Sequence, residues 1–227
     1  KNQQTNTVKN KLNKFSTSLI NDENLEKINN NQSNNCFINL DKFIRKDVII
    51  KRNIFKLYQI CEKETQNLFA AQMSMIKINR VSDEKIEKLS FDLKIISHLN
   101  HPSLLKFIGF SLNDFKNDRK SVIITELPSN RTIEEILELE KMNKKIYGWD
   151  DTKKLINIYG IASGMAYLHE HNLIHRDLKP ENILMDEYLY PKISDFGLSK
   201  MIDFLSISMN IQSQNGLKGT PIYMAPE

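Results

Sequence analysis

The sequence has little glycine, cysteine, proline or tryptophan: its 227 residues include seven Gly, two Cys, six Pro and one Trp. Cys36 and Cys61 fit neither a metal site nor a disulfide framework, which favours a reducing compartment. No apolar run is long enough for a spanning helix, and the amino terminus lacks the hydrophobic stretch of a signal peptide. We therefore expect an intracellular protein, in the cytoplasm or, as the alternative, in the nucleus.

A dominant charge is also missing. Lys and Arg number 32 and Asp and Glu 28, which gives a formal net charge of +4 without a long basic block. This balance predicts neither a nucleic-acid surface nor a membrane surface. A hydrophobic content of 40% fits a globular chain. Residues 1–36 differ, because they are rich in Asn, Lys, Gln and Ser, and we predict a disordered tail there.

Two short strings concentrate the chemistry. Residues 175–182 read HRDLKPEN, and Asp195 begins the triplet DFG. In phosphoryl transfer, a carboxylate orients the attacking hydroxyl while an acid and an amide hold Mg²⁺ beside the phosphates. Asp177 suits the first role, Asn182 and Asp195 suit the second, and Lys179 can steady the transferred phosphate. The strings therefore predict a phosphoryl-transfer site.

Together with Ala225-Pro226-Glu227, these strings resemble the eukaryotic protein kinases over roughly residues 40–227. The resemblance implies an α+β bilobal fold, with a β-rich small lobe over 37–126 and a mainly helical large lobe over 127–227. Because a kinase domain normally continues past this last triplet, we expect the large lobe to be incomplete. Lys179 is typical of the serine/threonine type, and residues 161–169 are similar to the tyrosine-kinase-like branch.

The implied function is transfer of the ATP γ-phosphoryl to Ser or Thr of protein substrates in signalling, with Mg²⁺ as cofactor. The family threonine, here Thr220, is expected to contact Asp177 and Lys179. Arg176 suggests control by phosphorylation of the activation segment, with three serines as candidate acceptors. Those serines are Ser206, Ser208 and Ser213. No oligomeric state is implied.

The small lobe departs from the family pattern. Kinases cover the ATP phosphates with a G-x-G-x-x-G turn, whereas the first glycine here is Gly109. Gln72 stands where the third-strand lysine is expected, and Asp92 stands where the helical glutamate that pairs with it is expected. Lys56 follows a phenylalanine as in the with-no-lysine kinases, so it is either a replacement lysine or a solvent-facing one.

By the same resemblance, eight residues are expected to contact the nucleotide: Lys56, Ala70, Gln72, Thr125, Glu126, Leu127, Leu184 and Asp195. His175 is interpreted as a packed residue in a hydrophobic column with Ile96, Phe107 and Phe196, and not as a proton carrier. Two functions stay open, an active kinase and a pseudokinase that binds or scaffolds. The intact large-lobe site favours the first function, and the altered small lobe favours the second.

Hydrophobic periodicity supplies the expected elements. It predicts strands over 47–51, 57–61, 68–75, 104–110 and 121–126. Helices are predicted to start at Ser82, at Thr132 and at Asp150 or Asp151. On the last helix seven residues are expected on the buried side: Leu155, Ile158, Tyr159, Ala162, Met165, Ala166 and Leu168.

Overall fold

The structure, a computed structural model, describes residues 36–52, 55–78, 83–128, 131–196 and 220–223. Several predicted features lie outside these ranges. They are residues 1–35 of the tail predicted over 1–36, Ser82, Gly197, the three candidate phosphorylation serines, and Ala225-Pro226-Glu227. Cys36, the last residue of the predicted tail, is instead buried in a cluster with Phe110.

Five antiparallel strands form the first sheet, in the order β1-β2-β3-β5-β4. A short 3-10 helix, Leu40–Lys42, precedes it. The strands are β1 (Phe43–Lys51), β2 (Phe55–Glu62), β3 (Leu68–Ser74), β4 (Phe107–Ser111) and β5 (Val122–Glu126). All five lie where the hydrophobic pattern predicted them. β4 starts later than expected because Leu104 forms an isolated bridge with Ile193 instead.

Helix α1 (Asp83–Ser97) packs on one face of this sheet. Its Leu89 and Leu93 are buried in a cluster with Phe110 of β4 and Ile123 of β5. The opposite face carries a second buried cluster, which we call the outer-face cluster. Its members include Tyr58, Ile60, Ala71, Met73, Val122 and Ile124. One face of the sheet therefore packs against α1, and the other face carries the outer-face cluster.

The second part of the fold is built from α2 (Ile133–Lys141), α3 (Asp151–Glu170) and a two-stranded sheet of β6 (Ile183–Met185) and β7 (Pro191–Ile193). Both predicted helix starts are confirmed. Thr132 and Glu135 form a reciprocal capping box at α2, and the Asp150 side chain accepts from the Lys153 N–H at α3.

The predicted buried side of α3 is wrong. Five of the seven residues placed there are exposed: Leu155, Ile158, Tyr159, Ala162 and Ala166. The buried residues of α3 are Asn157, Gly164 and Leu168. Leu168 is buried and Met165 packs against the core as predicted, but β7 approaches the helix at Gly160 and Gly164, and a hydrophobic pattern does not register glycine. None of the described helices has the length and apolar character needed to cross a membrane.

Two glycines explain how closely β7 approaches α3. A Cβ atom built on Gly164 would lie 2.8 Å from Ile193 Cδ1, and one on Gly160 would lie 2.8 Å from Pro191 Cγ. Ile193 is fully buried in the cluster that joins α1, α2, α3, β6 and β7. Ile96 and Phe196 belong to the same cluster and Phe107 packs against it, as the predicted hydrophobic column requires. This packing fixes β7, which leads directly into Asp195.

Candidate active site

The strand register defines the residues of one sheet face. Gln72 is paired with Leu57 and Ile123, and Leu57 is paired with Ile50. Directly opposite residues point to the same face of a sheet. Ile50, Leu57 and Gln72 therefore share the face on which α1 packs, and Ala70 joins them by alternation. Sequence reasoning missed Ile50 and Leu57, because their place on this face follows only from the pairing of β1 and β2 with β3.

Lys56 lies on the other face. It is paired with Met73, which is buried in the outer-face cluster, and Tyr58, two residues further, belongs to that cluster too. A strand residue shares its face with residues two positions away, so Lys56 and Gln72 point in opposite directions. This register argues against Lys56 as a replacement lysine. Asp92 is half-buried on α1, and its expected pairing with Gln72 stays a prediction.

The segment after β5 connects the two parts of the fold. Thr125 is paired with Ala70 and Phe107, and Glu126 and Leu127 follow it half-buried. The N–H of Glu126 donates to the carbonyl of Lys106 at 2.9 Å. Leu184 of β6 is partly buried and packs against the cluster that joins α1, α2, α3, β6 and β7. The predicted nucleotide contacts other than Lys56 and Asp195 are therefore distributed between one sheet face, this connection and β6, and Asp195 follows β7.

Asp177 is held by three side chains. Its Oδ1 accepts from the Thr220 hydroxyl at 2.9 Å, and its Oδ2 accepts from Asn182 Nδ2 at 3.1 Å and lies 3.2 Å from Lys179 Nζ. Lys179 Nζ also donates to the Thr220 hydroxyl at 3.0 Å. The expected contacts of Thr220 are thus confirmed. Both carboxylate oxygens are already oriented, so the side chain has a fixed position.

These contacts set the charge of Asp177. Burial alone raises the pKa of this carboxyl, but the hydrogen bonds from Thr220 and Lys179 and the charge of Lys179 outweigh it, so the pKa is lowered. The group is therefore ionised at neutral pH and is a weak base. Because Asp177 is a weak base, it is better suited to orienting a hydroxyl than to removing a proton early in the reaction.

His175 links the loop of residues 175–182 to Ser194 through hydrogen bonds. It is 2% exposed, its Nε2 donates to the Ser194 carbonyl at 2.9 Å, and its Nδ1 accepts from the Asp177 N–H at 3.3 Å. These partners fix one neutral tautomer. Burial lowers the pKa of His175, in agreement with a packed residue. Between His175 and Asp177, Arg176 has a φ of 70°, a left-handed conformation unusual outside glycine.

Asn182 and Asp195 are brought together by Ser194. The Ser194 N–H and its hydroxyl both donate to the Asn182 carbonyl, at 2.9 and 3.1 Å. Asp195 follows with a φ of 62°. Asp195 is exposed when the whole residue is considered, but protein atoms packed near its carboxyl group still desolvate that group. This burial and the negative charge of Asp177 raise the pKa of Asp195 to about 6.

The donors present fit Mg²⁺. Asn182 uses its Nδ2 for Asp177, which leaves its Oδ1 for a metal, and the bonds from Ser194 to the Asn182 carbonyl bring the backbone of Asp195 near Asn182. Among the described residues no group of three or more His, Cys, Asp or Glu could hold a metal. Mg²⁺ prefers oxygen ligands and commonly takes only one or two from protein, with substrate phosphates and water completing its shell. Two oxygen ligands are therefore the expected set for a metal that arrives with a nucleotide.

Comparison with known proteins decides the family. The family described as protein kinase domain matches residues 53–227. This chain is a protein kinase family member. The serine/threonine-protein kinase polo of Drosophila melanogaster is 33% identical over 177 residues, covering 78% of this chain and 28% of that protein. The cysteine-rich receptor-like protein kinase 10 of Oryza sativa subsp. japonica is 35% identical over 162 residues, covering 69% of this chain and 23% of that protein.

A third relative is the mitogen-activated protein kinase kinase kinase 2 of Arabidopsis thaliana. It is 30% identical over 188 residues, which cover 81% of this chain and 27% of that protein. The kinase therefore spans about a quarter of the length of the curated relatives that it matches. The names of these relatives do not assign this chain to one branch of the family, so the tyrosine-kinase-like branch stays a prediction.

Proposed function

We propose that this kinase transfers the γ-phosphoryl group of ATP to Ser or Thr hydroxyls of protein substrates. The observation that carries the proposal is the triangle of Asp177, Lys179 and Thr220, in which every side chain contacts the other two. An ionised carboxylate beside a fixed ammonium group can hold a hydroxyl in line with a phosphoryl group and balance the charge that develops on it. The names of the serine/threonine kinase relatives support the same acceptor class.

In the transfer, the substrate hydroxyl oxygen forms a bond to the γ-phosphorus while the bond to the β–γ bridging oxygen breaks. Asp177 orients the hydroxyl, and because its pKa is lowered it receives the proton only as the new bond forms. Lys179 stabilises the oxygens of the moving group. Asn182 and Asp195 would hold Mg²⁺, which when bound neutralises phosphate charge. ADP leaves with the bridging oxygen.

The test is phosphate transfer to a generic Ser/Thr protein substrate, measured for Asp177→Asn and Asp195→Asn. The matched control is Asp151→Asn, because Asp151 has a fully exposed side chain on α3. We expect both site variants to lose at least about a hundredfold in rate and the control to lose none. Transfer that persists in both site variants would exclude the proposed roles.

A pseudokinase is the second candidate, and one observation favours it. On the face expected to meet the phosphates, position 72 carries a neutral glutamine, and Lys56 lies on the opposite face. Charge-assisted hydrogen bonds are roughly twice as strong as neutral ones, so phosphate binding loses affinity here. A thermal shift with ATP and Mg²⁺ but no transfer by the unmodified chain would identify this function. Transfer that depends on Asp177 would exclude it.

A further inference from the structure

We propose that Lys192, together with the side chain of Glu126, is a positioning residue that fixes the connection between the lobes for nucleotide binding. The connection comprises residues 126–128, which follow β5. The proposal rests on the proposed function, because it assumes that the backbone of this connection meets the adenine. Glu126 was expected to contact the nucleotide only through the family resemblance, and no role was expected for Lys192.

Glu126 is attached to Lys106 twice. Its N–H donates to the Lys106 carbonyl, and its own Oε1 accepts from the Lys106 N–H, both at 2.9 Å. The same Oε1 lies 3.1 Å from Lys192 Nζ. One carboxylate oxygen therefore joins the connection to the segment before β4 and to β7 of the other lobe.

The segment before β4 is itself anchored on β7. The N–H of Leu105 donates to the Ile193 carbonyl, and the N–H of Ile193 donates to the Ser103 carbonyl, both at 2.8 Å. Residues 103–106 and β7 thus form one rigid support. Glu126 ties the connection to both parts of this support, whereas β5 alone would tie it only to the small-lobe sheet.

The position of Lys192 links this support to the predicted nucleotide contacts. Lys192 is paired across the small sheet with Leu184, and Thr125, directly before Glu126, is paired with Ala70. The ion pair therefore connects β7, which pairs with the strand of Leu184, to the end of β5, which pairs with the strand of Ala70. It would set the spacing between Leu184 and Ala70, two of the residues expected to contact the nucleotide.

The surroundings of the Lys192–Glu126 ion pair allow it to contribute measurably to the stability of the connection. The side chains of Lys192 and Glu126 are 21% and 32% exposed, so water screens the pair only in part. Exposed ion pairs contribute little because solvent screens them and because two long side chains must be ordered. Here the carboxylate is already held by the Lys106 N–H, so less ordering remains to be done.

The experiment compares Lys192→Met with Lys192→Arg and with Lys77→Met. The control pair, Lys77 with Asp118, is separated by 3.3 Å but lies within the small lobe and is more exposed. Two readouts are taken on the whole chain: amide hydrogen exchange of residues 125–127, which precede Pro128, without nucleotide, and the Kd for ATP with Mg²⁺. The first readout does not depend on nucleotide binding.

We expect Lys192→Met to speed exchange in residues 125–127 and to raise the Kd, each by about twofold to fivefold. Lys192→Arg should restore both, because it keeps the charge, and Lys77→Met should change neither. Glu126→Gln should show an intermediate effect, since an amide oxygen can still accept from the Lys106 N–H.

Three results would overturn the proposal. The first is the same exchange rate in Lys192→Met and Lys77→Met. The second is the same increase in exchange rate and in Kd in Lys192→Met and Lys192→Arg. The third is a lower melting temperature of Lys192→Met without a local change in exchange. If neither the unmodified chain nor any of the variants binds ATP, the proposed function fails. The exchange readout still decides whether Lys192 fixes the connection.

Discussion

Replacing Gly164 by alanine tests whether the contact between α3 and β7 is as close as the structure shows. The new Cβ would lie 2.8 Å from Ile193 Cδ1 and 3.3 Å from Ser103 Cβ. Carbon atoms pack best at about 3.5–4.0 Å, so the end of a fully buried isoleucine must move into an occupied core. Such overpacking costs about 1–3 kcal/mol, and the higher helix propensity of alanine returns about 1 kcal/mol.

The decisive design is a double-mutant cycle with Ile193→Val, which removes the clashing Cδ1. Alone, Ile193→Val should cost about 0.5–1.5 kcal/mol. In its presence, Gly164→Ala should become neutral or stabilising, which corresponds to a coupling of about 1–3 kcal/mol. Ala162→Gly, at an exposed position of α3, measures the helix-propensity contribution by itself.

Urea unfolding followed by the fluorescence of Trp149, which is partly buried and packs against the cluster that joins α1, α2, α3, β6 and β7, gives the free energies. A Gly164→Ala variant that is about 1 kcal/mol more stable than the unmodified chain would refute the reasoning, because it would show free space beside β7.

Four other variants, each at a single site, test three further predictions. Because the pKa of Asp195 is raised, the folded state holds its proton more tightly than the unfolded chain, and stability falls as pH rises from about 4 to 6. Asp195→Asn should therefore raise the melting temperature at pH 7 but not at pH 3. Asp177→Asn should lower it at pH 7, since a lowered pKa gives stability that is lost as pH falls; equal signs for the two variants would contradict this. Thr132→Ala, which removes the α2 capping box, should cost about 1 kcal/mol in urea unfolding, and no loss would exclude the cap. Gln72→Lys should tighten the Kd for ATP with Mg²⁺ about tenfold by titration, and an unchanged Kd would show that this position does not meet the phosphates.

The sequence determined those features whose cause is local. Residues 175–182 are consecutive, so the spacing of Asp177, Lys179 and Asn182 already placed them in one loop. The start of α2 was equally local, because Thr132 and Glu135 satisfy each other within one turn. Hydrophobic alternation likewise located all five strands of the first sheet, and the family resemblance anticipated Thr220 at Asp177 although the two are 43 positions apart.

Only the tertiary structure decided which way the side chains point. A shift of one residue in strand pairing reverses every side chain, so the face of Lys56 could be read only from its pairing with Met73. The packing face of α3 depended on β7, which approaches through Gly164 and so leaves the apolar Leu155 exposed. The contact of Glu126 with Lys192 depended on how the two lobes meet. In each case the deciding partner is distant in sequence, and no local pattern carries its position.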